Sequence, residues 1–169
     1  MIKNLLNGKH VCPWWLCFTF DNPLRKLIHD PIKMLSPYVH QGDTVIDIGP
    51  GMGYFSIPLA ELVGPAGRVI AIDIQQKMLS ALMARSQKKG LADRIKTHLA
   101  GSESLGFREK ADFILAFWMA HEVPDQKRFF SEIRELMKPE SLFLLVEPQL
   151  HVSKKNFLRT IETAKEQGF

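Results

Sequence analysis

Three alternating glycines and a later aspartate are the residues best suited to bind a sugar-bearing ligand. Residues 44–55 read TVIDIGPGMGYF, so an apolar run ends in Gly49, Gly51 and Gly53. Glycines after a strand allow positive φ and let a ligand approach the backbone, whose N–H groups then point at it. Asp73 follows Gly53 by 20 residues, at the end of the next apolar run, where a carboxylate can accept both ribose hydroxyls. This spacing predicts a nucleoside-binding strand–helix–strand unit.

The glycine spacing distinguishes between two classes of nucleotide-binding protein. Dinucleotide enzymes favour G-x-G-x-x-G, but the position of its last glycine is Tyr54 here. With Asp47 two residues before Gly49, the string DIGPGMGYF resembles the first motif of class I S-adenosylmethionine-dependent methyltransferases. Asp73 then matches the ribose-binding acid of that family. The alternative is an ordinary strand–helix turn with structural glycines, but such a turn requires neither aspartate.

Alternating strand and helix patterns surround this unit. Apolar runs predict strands at 44–48, 68–72, 95–100, 111–117 and 142–147. Periodic apolar positions predict helices over 54–63 and 75–89, from 124 onward and over 153–167, after a helical turn near Pro31. We therefore predict an α/β fold, a doubly wound and mostly parallel sheet of about five strands with helices on both faces. Ligands of such sheets bind at the carboxyl ends of the strands.

Composition narrows the class of protein. The chain has 169 residues, enough for one domain with a sizeable core. We divide the chain into a cap segment, residues 1–40, and a binding domain, residues 41–169. The net charge of +4 comes from scattered Lys and Arg, which favours no nucleic-acid partner. The sequence shows neither a signal peptide nor an apolar run of the about 20 residues that a membrane span needs. We therefore expect a cytoplasmic protein without a membrane partner.

The resemblance covers the chain from about residue 43 onward. Within the family, this chain is similar to the branch that contains quinone-biosynthesis methyltransferases. It implies that Asp47 and the three glycines hold the amino-acid end of S-adenosylmethionine, with Tyr54 beside them. It implies that Asp73 binds the ribose and that Ile74 covers the adenine. The cofactor expected from this resemblance is S-adenosyl-L-methionine.

The loop after the third strand departs from the family pattern. Where the family has an Asp that binds the adenine amino group, this chain has Gly101. The backbone N–H of Ser102 can still reach a ring nitrogen, and Ser102 or Glu103 can replace the missing carboxylate. We therefore keep Gly101 and Ser102 among the predicted cofactor contacts.

The stretch after the fourth strand supplies the predicted acceptor side. Residues 116–122, AFWMAHE, match the family's segment that lines cofactor and substrate, so we expect Phe117 and Trp118 to face the cofactor. His121 is the candidate general base if the acceptor carries a proton that titrates near neutral pH. The alternative is a His bonded to backbone at a helix entry. Glu122 is expected to be solvated or a cap.

The first 20 residues combine aromatic rings and thiols. Trp14, Trp15 and Phe18 form a predicted substrate lid. Cys12 and Cys17 are too few for a disulfide framework, and buried thiols are the simplest interpretation. A thiophilic acceptor or a metal held by both thiolates, with His10 as a third ligand, is the sharper alternative, but two thiolates do not complete a tetrahedral site. We predict no metal site.

The family fold ends with strands six and seven, and this sequence ends where strand six would begin. Strand five would then lie at a sheet edge, which is prone to pairing with another chain. We expect that edge to be covered by another chain, with a homo-oligomer as one form of cover, or to be protected otherwise. The other departure is Glu140-Ser141, where the family has Gly-Gly after the Pro.

The expected function is S-adenosylmethionine-dependent methyl transfer to a small, apolar or aromatic acceptor. Two alternatives stay open at this point. One is a non-catalytic adenosylmethionine-binding module, which Gly101 and the missing strands make plausible. The other is an NAD-type oxidoreductase, against which Tyr54 argues. The sequence does not identify the acceptor or its accepting atom.

Overall fold

The computed structural model describes residues 29–169. The thiols and the lid residues of the N-terminal segment lie outside this range: Cys12, Cys17, Trp14, Trp15 and Phe18. Their roles stay predictions. Within residues 29–169, no helix combines the length and the apolar character needed to cross a membrane.

Five strands and five α-helices lie along the described residues, and they alternate except that no α-helix separates the third strand from the fourth. The strands are β1 (Thr44–Ile48), β2 (Arg68–Asp73), β3 (Ile95–Leu99), β4 (Ala111–Phe117) and β5 (Met137–Val146). The helices are α1 (Pro31–Leu35), α2 (Ser56–Leu62), α3 (Gln76–Lys88), α4 (Gln126–Leu136) and α5 (Lys154–Glu166). Short 3-10 turns cover Ala92–Arg94 and Ala120–Glu122. The alternation confirms the predicted α/β class.

The strands form one parallel sheet in the order β3-β2-β1-β4-β5. The chain starts at the central strand, moves outward to β3, and then returns to the other side of β1. Connections therefore leave β1 and β4 in opposite directions, which opens a crevice at their carboxyl ends. All five residues of β1 are buried, as the continuous apolar run required. The doubly wound prediction is confirmed.

Two apolar layers cover the two faces of the sheet. Helices α1, α2 and α3 pack on the face that carries Val45, Ala71 and Leu115. Helices α4 and α5 pack on the opposite face, which carries Ile46 and Ile114. Because both faces are buried, successive residues of each central strand pack into one layer or the other, so the side chains left to meet a ligand lie at the strand ends.

The fifth strand begins earlier than the sequence predicts. Met137 already pairs with Ala111, but the next paired residues are Leu142 and Phe113, so β5 bulges where β4 advances by only two residues. Glu140 lies in this bulge with φ +64°, in the left-handed region. Residues 139–141 therefore form a bulge within a strand that is longer than predicted. A glycine would adopt the φ of Glu140 without strain.

The sheet ends at β5 on one side within the described residues, and Leu142 there is about half exposed. The bulge and its charged residues interrupt this edge, which makes strand addition less favourable. Self-association through the edge stays a prediction. The proposed division at residue 40 is also untested, although Leu35 and Val39 before it belong to the same core as α2 and α3.

Candidate functional site

The carboxyl ends of four strands bring the predicted cofactor-binding residues to one edge of the sheet. Ile48 pairs with Ile72 on one side and with Ala116 on the other, so the ends of β1, β2 and β4 lie side by side. The N–H of Gly49 donates to the carbonyl of Ile72 at 2.9 Å, which extends this alignment into the glycine turn. The predicted residues that share this edge are Asp47, Gly49, Gly51, Gly53, Tyr54, Asp73, Ile74, Gly101, Ser102, Phe117 and Trp118.

The glycine turn leaves open space at only one of its three glycines. All three have positive φ: 71° at Gly49, 54° at Gly51 and 88° at Gly53. An added Cβ would lie 2.9 Å from the Met119 side chain at Gly49 and would overlap Leu82 at Gly53, but would meet nothing within 4 Å at Gly51. Gly51 is therefore the glycine whose missing side chain leaves room for a ligand.

The helix after this turn begins later than predicted. Its first residue is Ser56 and not Tyr54, since the preceding residues form turns, with the N–H of Gly53 donating to the carbonyl of Pro50 at 3.0 Å. The hydroxyl of Tyr54 donates to the backbone carbonyl of His29 at 2.7 Å. Tyr54 thus ties the glycine turn to the segment before α1, and this contact is independent of any cofactor.

Asp73 links the end of β2 to the glycine turn. Its Oδ1 accepts the N–H of Gln75 at 2.8 Å. Burial raises the pKa of Asp73, and the backbone N–H groups of Gln75, Gly51 and Ile74 around its carboxylate oppose that rise. A carboxylate held in place beside an open glycine is suited to accept two vicinal hydroxyls.

Apolar surface lies beside this carboxylate. Ile74 is 44% exposed and Leu99, the partner of Asp73 across the β2–β3 pair, is 49% exposed. Two exposed aliphatic side chains at the ends of neighbouring strands offer a surface for a flat base. Ile74 was predicted from the sequence to contact the cofactor, whereas Leu99 was not. The signal was present, since an apolar residue ends the third strand at the ligand-binding edge.

Asp47 faces the protein interior. It is 2% exposed, and its Oδ2 accepts the hydroxyl of Ser56 at 2.6 Å. Burial raises its pKa to about 7, the Ser56 hydrogen bond opposes this, and the charge of Asp73 adds to it. In this structure, Asp47 therefore fixes the start of α2 behind the glycine turn. Its predicted contact with the cofactor stays a prediction.

The buried Asp47 predicts a pH dependence of stability. The folded pKa of about 7 exceeds the ordinary value of 3.8, so its contribution is fully present below pH 4 and is lost as pH rises through 7. The difference corresponds to on the order of 4 kcal/mol. Asp47→Asn keeps an acceptor for Ser56 and carries no charge. We expect the variant to gain stability relative to the wild type between pH 4 and 8, measured by urea unfolding at several pH values. A parallel pH dependence of the two proteins would contradict this.

The loop after β3 is exposed at the positions that depart from the family pattern. The N–H of Gly101 donates to the carbonyl of Ser104 at 3.1 Å, which closes a small turn, while Ser102 and Glu103 are exposed. A Cβ at Gly101 would meet that carbonyl at 3.6 Å, an ordinary contact. A side chain would fit at position 101, so the backbone does not demand glycine there.

Aromatic rings pack at the end of β4. Phe117 lies 4.3 Å from Phe55 and 5.2 Å from Trp118, between ring centroids, and is buried. Trp118 has φ +61°, an uncommon conformation for a bulky residue. Its backbone N–H donates to the backbone carbonyl of Val146 at 2.7 Å. Strained backbone of this kind clusters at functional sites. Phe117 thus forms a wall behind the half-buried Trp118.

His121 lies in the short turn after β4, in contact with Glu147, which was not predicted from the sequence. Oε2 of Glu147 lies 2.6 Å from Nδ1 of His121, and its Oε1 accepts the backbone N–H of His121 at 2.9 Å. The Glu147 hydrogen bond raises the pKa of His121, and burial opposes this rise. Glu147 directly follows β5, as Asp73 ends β2, and that position is the signal that could have found it.

Known proteins resemble this chain in sequence and in fold. Residues 39–168 match a family described as a methyltransferase domain. The demethylmenaquinone methyltransferase of Lactobacillus johnsonii is 30% identical, over 60% of this chain and 42% of that protein. The ubiquinone/menaquinone biosynthesis C-methyltransferase of Francisella tularensis is 29% identical, over 64% of this chain and 44% of that protein. The chain therefore spans less than half the length of these curated relatives.

Among solved structures, a SAM dependent methyltransferase from Aquifex aeolicus has a similar fold. Its TM-score is 0.82 at 23% identity, over 94% of this chain and 89% of that one. This likeness covers nearly the whole chain and shows the same fold. Together with the family match over residues 39–168, it shows that the chain belongs to the methyltransferase domain family.

Proposed function

We propose that this chain binds S-adenosyl-L-methionine at the glycine turn and transfers its methyl group to a small acceptor. The observation that carries the proposal is that the Asp73 carboxylate lies beside the backbone of Gly51, where an added Cβ would meet nothing within 4 Å. A sugar-bearing ligand in that space would lie against the glycine turn and meet the carboxylate.

The residues of this edge fit the chemical parts of S-adenosylmethionine. The glycine turn would hold the amino-acid end, Asp73 the ribose hydroxyls, and Ile74 with Leu99 the adenine face. When bound, the cofactor supplies an electrophilic methyl group on a positively charged sulfur. The half-buried Trp118, with Phe117 packed behind it, would exclude water from that group and offer a ring face to the positive charge. Gly101 leaves the adenine amino group to Ser102 or Glu103.

The acceptor in this proposal is a small, apolar or aromatic molecule. The relatives' names refer to quinone biosynthesis, so quinone precursors are the first acceptors to test. Methyl transfer depends mainly on proximity and alignment, which the rigid ends of β1 and β4 can provide. His121 stays the candidate general base. Trp14, Trp15 and Phe18 stay the candidate lid of the acceptor site.

Isothermal calorimetry followed by an acceptor screen tests the proposal. We expect heat of binding with S-adenosylmethionine and with its demethylated product, and none with NAD. We then expect transfer of an isotopically labelled methyl group to at least one member of a panel of hydroxylated quinone precursors, with RNA as a contrasting acceptor. Absence of heat with both adenosyl ligands would overturn the proposal. Binding without transfer to any acceptor would favour the non-catalytic module instead.

A further inference from the structure

The contact between His121 and Glu147 has a geometry beyond that of a simple surface ion pair. Both carboxylate oxygens are used on one residue, Oε2 on the ring Nδ1 at 2.6 Å and Oε1 on the backbone N–H at 2.9 Å. The Glu147 side chain is 3% exposed, whereas that of His121 is 28% exposed. A buried carboxylate thus fixes both the position and the ring orientation of a more exposed imidazole. We call these two residues the His121–Glu147 pair.

This geometry determines which ring nitrogen is left for another partner. A carboxylate can only accept, so Nδ1 carries a proton and Nε2 is left for another partner. Glu147 is the first cause of the raised pKa of His121, burial opposes it, and the charges of Glu147 and Glu122 add to it. The neutral imidazole is therefore a stronger base than an ordinary histidine, with its lone pair on Nε2.

The turn that carries His121 is held from several sides. Gln126 Nε2 of α4 donates to the carbonyl of Ala120 at 3.0 Å, and the hydroxyl of Thr160 in α5 lies 3.2 Å from Gln126 Oε1. Met119, at the start of the turn, lies so close to Gly49 that an added Cβ would be 2.9 Å from it. The pair is thus preorganised next to the glycine turn, on the side of β4 and β5.

We propose that the His121–Glu147 pair accepts the proton of a hydroxyl group on an aromatic or enolic acceptor, with Glu147 as the positioning residue. The inference rests on the proposed methyl transfer and names its substrate class. A phenolic hydroxyl titrates near pH 10 and is a weak nucleophile while it keeps its proton. An aromatic amine is neutral near pH 7 and already has a free lone pair, and a thiol ionises near pH 8.5, so neither gains as much from a neighbouring base.

The proton and the electrons balance without a further reactant. The acceptor hydroxyl gives its proton to Nε2 of His121, and the oxygen uses the electron pair of the broken O–H bond to take the methyl carbon. The leaving electron pair stays on the cofactor sulfur, which becomes neutral. The imidazolium that forms is stabilised by the Glu147 carboxylate until the proton passes to solvent.

Nitrogen NMR of the histidine rings, combined with kinetics, tests the pair. In the wild type we expect the neutral His121 ring to carry its proton on Nδ1, with the resonance assigned from a His121→Asn variant. Glu147→Gln should lower the pKa of His121 and mix its tautomers. With a phenolic acceptor, the same variant should lower kcat by roughly 10²-fold, as for a displaced general base, with little change in KM. The acid limb of its pH–rate profile should move to lower pH.

Two further variants separate positioning from folding. Glu147→Asp keeps a carboxylate and should restore part of the pKa rise and of kcat. Glu140→Gln makes the same change at the far end of β5, on an exposed residue, and should behave as the wild type in both measurements. A Glu147→Gln protein that does not fold would leave the wild-type spectrum and the Glu147→Asp variant to decide.

Several results would overturn the inference. A wild-type His121 whose neutral form carries its proton on Nε2 would exclude the proposed role, as would an acid limb that Glu147→Gln leaves unmoved. Methyl transfer that prefers amines or thiols and is insensitive to His121→Asn would exclude the hydroxyl acceptor. In each case calorimetric binding of S-adenosylmethionine would still support the proposed function. Absence of that binding would instead overturn the proposed function itself.

Discussion

Replacing Asp73 with asparagine is expected to weaken the binding of S-adenosylmethionine by on the order of 10²-fold, measured by calorimetry. The carboxylate would accept two ribose hydroxyls, and hydrogen bonds to a charged group contribute about 1.5–3 kcal/mol each. Each 1.4 kcal/mol corresponds to about a tenfold change in affinity. An amide keeps the size of the side chain but has one acceptor oxygen and no charge. It cannot serve both hydroxyls.

A matched control for this variant lies at the other end of the sheet. Asp93→Asn makes the same change on an exposed aspartate in the turn before β3, far along the strand from the glycine turn. We expect it to bind the cofactor as the wild type does. Wild-type affinity in Asp73→Asn, with an intact fold by circular dichroism, would mean that the ribose lies elsewhere.

Replacing Gly53 with alanine is expected to destabilise the fold by about 2–5 kcal/mol. Gly53 has φ +88°, and left-handed backbone costs a residue with a Cβ about 1–2 kcal/mol. The added Cβ would also overlap Cδ1 of Leu82, which is fully buried in α3, and overpacking of a core costs about 1–3 kcal/mol. Thermal unfolding should therefore occur at a temperature lower by roughly 5–15 °C.

The same substitution at Gly51 separates the ligand site from the core. Gly51 has φ +54° but open space around an added Cβ, so Gly51→Ala should lose only the backbone cost, about 1–2 kcal/mol. Its methyl group would enter the space assigned to the cofactor, so affinity should fall more than stability does. Gly51→Ala with full affinity, or Gly53→Ala with full stability, would contradict the assignment of these two glycines.

The glycine turn and Asp73 were predictable because each follows from a short stretch of sequence. A parallel strand that is buried on both faces must be a continuous apolar run, so the ends of β1 and β2 are predicted by where their apolar runs stop. Right-handed connections then bring those ends to one edge whatever the details of packing. The edge location of Gly49 and Asp73 needed no knowledge of the side chains around them.

The directions of individual side chains were not predictable in this way. Asp47 is part of the motif string, yet it is buried against Ser56, because residues alternate between the faces of β1 and α2 covers its side. The strand β5 begins early, at Met137, through a bulge in which Glu140 has a left-handed conformation. The sequence has no glycine there to indicate a left-handed residue, so this bulge was not predicted.

The sequence by itself determined the fold class and the edge of the sheet at which the glycine turn and Asp73 meet, because strand periodicity and the spacing of glycines and acids are local properties. Only the tertiary structure decided what His121 can do. Its partner Glu147 is 26 residues away and directly follows the next strand, so their 2.6 Å contact depends on the pairing of β4 with β5. The orientation of the His121 ring between the ends of β4 and β5 is set by tertiary packing, which a local sequence pattern does not specify.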